Sequence, residues 1–154
     1  LTTEIMTRLR FDNETKNKVV TLVALHDSPI MVNGNTCPDK KRLKKIMSKI
    51  GKDLIFDLIH IKYCDNSAQN PQYFRGEDFY KTTYSMIDDI INQQECFSIK
   101  DLKINGNDLI SMGYKGKEIG LILDKVLEKV INETLKNDFK EICDYVSSAY
   151  KPKP

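Results

Sequence analysis

Few residues in this sequence have the types and spacing that chemistry needs. His26-Asp27 is an H-D dipeptide. Such a pair supplies ligands to a divalent metal when an upstream His and a distal Asp complete the set. Asp65 offers the distal carboxylate, but no His precedes His26. His26 and Asp65 are therefore weak metal candidates, and a structural or vestigial role suits them better. His60 and Cys64 stand four apart, which puts them on one helical face. Nothing visible activates that thiol, and His60 reads as a core or boundary histidine.

Positive charge is a second resource. Lys40, Lys41, Arg42, Lys44, Lys45 and Lys49 follow one another with only Asp39 opposed and Lys52 beyond. The apolar residues of this stretch point inward, so the cations are expected to share an outer face. That face is either simply solvated or a contact for phosphates. Lys115-Gly116-Lys117 opens a long helical segment. The free N–H groups of a helix start attract phosphate, and flanking lysines add charge. The bland alternative is that Gly106 and Gly113 only shape turns. Gly120, inside the helix, is best explained by a close helix–helix approach.

These residues need elements to hold them. The chain has 154 residues, 40% hydrophobic and 30% charged, with a net charge of +2. That suits one domain or two small helical lobes. A wholesale nucleic-acid binder is more basic, so any RNA contact is local. No apolar stretch is long enough to span a bilayer, and Leu1 opens on a polar segment, unlike a signal peptide. Cys37, Cys64, Cys96 and Cys143 form no C-x-x-C pair, which excludes zinc spacing. Isolated thiols point to the reducing cytoplasm and to small buried or half-buried side chains.

Apolar periodicity predicts helices nearly throughout. The expected spans are 2–9, 14–26, 39–50, 53–69, 78–94, 108–111, 117–135 and 138–150. Ser28-Pro29, Gly51 and Asn70-Pro71 are the stops. Loop is expected at 32–38 and a frayed or extended tail at 151–154. The abrupt start suggests a chain that begins inside a larger protein. No strand pattern of useful length occurs, so the fold is read as all-α. The texture changes near Glu95, giving domains 1–95 and 96–154.

The stretch Phe97-Ser98-Ile99-Lys100-Asp101-Leu102 leads through Ile104, Gly106, Asp108-Leu109-Ile110 and Met112-Gly113-Tyr114-Lys115-Gly116-Lys117. It continues with Glu118-Ile119-Gly120, Leu123, Leu127 and Val130. This resembles the C-terminal signature of bacterial CCA-adding tRNA nucleotidyltransferases and their poly(A) polymerase relatives. Arg8-Leu9-Arg10-Phe11 and Leu22 to His26 are similar to an upstream helix pair of that family. Arg42 to Ile46, Gly51 and Leu58 to Gln69 match another of its stretches more loosely.

The resemblance implies a helical bundle, with an HD-like body at 1–95 and a tRNA-binding tail at 96–154. It implies a parent that adds CCA, or A, to tRNA 3′ ends with magnesium and ATP or CTP. Those would be bound by an N-terminal head, because its G-S loop and D-x-D pair are not found here. No cofactor or catalytic residue is expected in this stretch, and tRNA is the expected partner. The expected RNA contacts are Lys41, Arg42, Lys44, Lys45, Lys115, Gly116 and Lys117. The alternatives are the C-terminal half of an HD-type metal-dependent phosphohydrolase and a generic helical interaction module.

Overall fold

The computed structural model describes residues 1–32 and 36–151. Among them are seven α-helices and no strand, so the fold is all-α. Residues 33–35 of the loop expected at 32–38, and 152–154 of the tail expected at 151–154, lie outside the described residues. The chain divides into two compact units, Leu1–Ile91 and Asn92–Pro154.

The first unit holds α1 (Thr2–Arg8), α2 (Asn13–Leu25) and α3 (Lys40–Ala68), and α4 (Glu77–Asn92) runs to the division. Asp12 caps α2, accepting from the Thr15 N–H at 2.9 Å and from its hydroxyl at 2.6 Å. That hydroxyl bond, more than any other contact, holds the Asp12 carboxyl below its usual range. Asp39 caps α3 by accepting from the Arg42 N–H at 2.8 Å. The two helices expected at 39–50 and 53–69 are the two arms of α3, which meet at a non-helical Gly51. Gly51 makes the kink at φ 77° and ψ 177°, a conformation open to glycine almost alone.

The core of this unit comes from α3 and α4. Leu43, Ile55, Leu58, Ile59, Ile87 and Ile90 are wholly buried. Phe56 stacks on Tyr84 with centroids 6.2 Å apart, and Tyr63 meets Tyr80 edge-on at 5.2 Å. By contrast α2 buries none of its residues fully, and its Val23 is exposed. His60 is exposed, not a core or boundary residue as its apolar neighbours suggested. Cys64 shares its face, with Sγ 3.8 Å from His60 Nε2. Cys37 and Cys64 are exposed, against the expectation of shielded thiols, whereas Cys96 and Cys143 are half-buried. Burial pushes the Cys143 thiol up.

The second unit holds α5 (Gly106–Ser111), α6 (Lys117–Ile131) and α7 (Phe139–Ala149). Leu109, Val126, Ile142 and Val146 are its wholly buried centre, joined by Ile104 and Tyr114. Its turns are fixed by side chains. Asp101 accepts from the Ser98 N–H and hydroxyl, both at 2.8 Å. Asn137 donates to the Asp101 carbonyl at 2.9 Å and accepts from the Lys103 N–H at 2.9 Å. The start of α5 differs from expectation. Asn105 is its cap, Gly106 is already helical, and Asp108 reciprocates by accepting from the Asn105 N–H at 2.8 Å.

Candidate nucleic-acid interface

Two basic segments were expected to meet RNA, one in each unit. In α3 the cations divide. Lys45, Lys49 and Lys52 are exposed, and Lys41 and Arg42 are half-buried. Lys44 is buried, with 8% of its surface accessible, so the cations do not all share an outer face. The reason is helical geometry: residue 44 lies one turn from Met47 and beside Leu43, on the flank of the apolar stripe. Lys41, Lys45 and Lys49 recur every four residues, which makes them a stripe one residue wide along the helix.

In the second unit Gly113 takes φ 94° just after α5, and Gly116 takes φ 59° just before α6. A Cβ at Gly116 would meet no atom within 4 Å, so backbone conformation, not space, demands glycine there. Lys115, Gly116 and Lys117 are exposed. Gly116, the N-cap, has no side chain to cap α6, so the first helical N–H groups gain no side-chain oxygen from it. The Lys115 N–H is taken, since Glu118 accepts from it at 2.7 Å. That carboxylate sits beside the helix start, and the sequence reading did not foresee it.

Gly120 overturns an expectation. A Cβ there would meet nothing within 4 Å, and the residue is exposed, so no neighbouring helix requires it. Gly120→Ala should therefore stabilise the second unit by about 1 kcal/mol, from helix propensity alone. Urea unfolding followed by circular dichroism checks this. A destabilised variant would mean that contact with another surface shapes this turn.

A cavity of about 500 Å³ lies within the first unit. It is walled by the segment after α2, by the last turns of α3 and by Arg75. His26 and Asp65 both line it, so the structure brings the weak metal candidates together. Each is already engaged. His26 Nδ1 lies 2.7 Å from the Val23 carbonyl and Nε2 lies 3.3 Å from Asp27, while Asp65 accepts from Gln69 at 3.0 Å. Among the described residues no group of three or more His, Cys, Asp or Glu converges as a metal site would require. The sequence reading missed Lys62 and Arg75, which enter the same cavity. The Lys62–Asp65–Gln69 spacing of three and four along α3 was the available signal for Lys62, and no local spacing marked Arg75.

The chain is all-α, with exposed cations at the start of α6 and along one flank of α3. The model of the family described as "tRNA nucleotidyltransferase domain 2 putative" matches residues 2–146. The chain belongs to this family. No curated protein and no solved structure matches it. Among the described residues no helix is long and apolar enough to cross a membrane.

Proposed function

We propose that this chain holds tRNA for a cytoplasmic enzyme that adds CCA, or A, to tRNA 3′ ends. The observation that carries this is the family match over nearly the whole chain. Nucleotide, magnesium and the transfer step belong, in this reading, to a separate head domain. The first unit is then an HD-like body and the second a tRNA-binding tail. The tail acts as a ruler that places the distant 3′ end in the head.

The side chains supply a backbone grip and no base reading. Lys115 and Lys117 flank the uncapped start of α6, where N–H groups and charge both favour phosphate. Lys41, Arg42 and Lys45 offer side-chain charge in α3, whose start Asp39 already caps, while buried Lys44 drops out of the contact set. Amide shifts of the isotopically labelled chain, followed as tRNA is added, test this. The reading expects perturbation at residues 41–45 and 115–117. Shifts confined to other surfaces would refute it.

The shared cavity of His26 and Asp65 is the one feature that favours the HD-type phosphohydrolase reading. Manganese titration separates the two. Selective broadening of His26 and Asp65 resonances would support a phosphohydrolase half, and its absence leaves the tRNA reading intact.

A further inference from the structure

We infer that the cavity between the segment after α2 and the end of α3 binds a phosphoryl group, held between Lys62 and Arg75. Its frame is built from internal hydrogen bonds. The Asp39 N–H donates to the Ile30 carbonyl at 2.7 Å, and Ile30 is buried, so the wall after α2 is pinned to the start of α3. Asn66 is buried and carries the opposite wall. It accepts from the Arg75 N–H at 3.0 Å and donates to the Tyr73 carbonyl at 3.0 Å. The Tyr80 hydroxyl lies 3.2 Å from the same Asn66 oxygen and 3.1 Å from the Lys62 carbonyl. Asn66 is thus consumed by the frame and is no ligand.

The charges inside are unevenly partnered. Both carboxylates are turned to neighbours, Asp27 to His26 and Asp65 to Gln69. The cations have neutral neighbours instead, and the Arg75 side chain hydrogen-bonds the Tyr80 hydroxyl. The Lys62 ammonium donates to the His26 carbonyl, and the Arg75 guanidinium lies over the Phe79 ring, 5.6 Å from its centroid. Neither forms an ion pair with a carboxylate among the described residues. Burial first, and then the charge of Arg75, hold the Lys62 ammonium below its ordinary value, although Asp27 and Asp65 oppose this. Two cations repelling each other across a partly dehydrated space are what an anion relieves. A phosphoryl group carries enough charge and enough acceptor oxygens to bridge an ammonium and a guanidinium. The same cations disfavour a divalent metal.

A volume of about 500 Å³ exceeds a bare phosphate and lies within the range of small-molecule sites. The phosphoryl group can come from a mononucleotide or from an RNA backbone. The inference goes beyond the tRNA reading and does not depend on it, because inorganic phosphate alone tests it.

The experiment titrates the whole chain with inorganic phosphate, with AMP and with a short oligoribonucleotide bearing hydroxyl ends. Side-chain resonances of Lys62, Gln69 and Arg75 are the readout. All three should shift with phosphate. Lys62→Gln and Arg75→Gln should each weaken binding tenfold or more, and Asp65→Asn should tighten it. Lys81→Gln, which removes an exposed charge elsewhere on the first unit, should change nothing. Tighter binding of AMP would assign the group to a nucleotide, and tighter binding of the oligonucleotide to an RNA backbone. Silence of these resonances to all three probes overturns the inference, as does a Lys62→Gln chain that binds phosphate normally.

Discussion

Neutralising Lys41, Arg42, Lys115 and Lys117 together is expected to weaken tRNA binding by roughly three thousandfold near 0.1 M salt. The size follows from counterion release. Each phosphate contact contributes roughly 0.9 log units of affinity per tenfold change in salt, so four contacts contribute about three and a half near 0.1 M. The slope of log affinity against log salt should fall by about 3 to 4 in the same variant. Lys44→Ala is the informative contrast. Lys44 is buried, so its loss should alter the stability of the first unit and leave that slope unchanged. Filter binding at several salt concentrations measures both. An unchanged slope in the quadruple variant would show that these cations do not touch phosphate.

Tyr114→Ala should unfold the second unit. Only 2% of Tyr114 is accessible, among the wholly buried Leu109, Val126, Ile142 and Val146. Its hydroxyl donates to the Tyr150 carbonyl at 3.0 Å and lies 3.3 Å from the Val146 carbonyl, so it ties the α5–α6 turn to the end of α7. Burial, with help from the negative charge of Glu118, pushes its hydroxyl up, so it stays a neutral donor. Removing so large a buried ring costs about 3–5 kcal/mol, which approaches the whole stability of a small domain. Tyr114→Phe keeps the ring and loses only the hydroxyl bond, at about 1 kcal/mol. Amide exchange in α6 and α7 distinguishes the two. Full protection in the alanine variant would mean that the unit's core is not built around this ring.

Much of the framework was legible because it is written locally. Apolar spacing marked the longer helices, and Gly51, Ser28-Pro29 and Asn70-Pro71 punctuated the first unit close to where its helices bend or stop. The helix expected from 138 starts one residue later, with Asp138 as its cap, and Asp12 caps α2. Finer placement escaped because it depends on tertiary contact. The charge of Lys44 suggested the outer face, but its position beside Leu43 and Met47 placed it inside. Gly120 suggested a close neighbour and has none. The cavity was invisible because its walls are distant in sequence. The Asp39–Ile30, Asn66–Arg75 and Lys62–His26 bonds bring them together.

Binding of tRNA by the purified chain, in competition with an unstructured RNA of equal length and at two salt concentrations, tests the central claim most directly. A backbone grip shaped for folded tRNA predicts that tRNA wins at both concentrations, with affinity falling as salt rises. Equal binding to the two RNAs, or none to either, would contradict the claim that this chain holds tRNA.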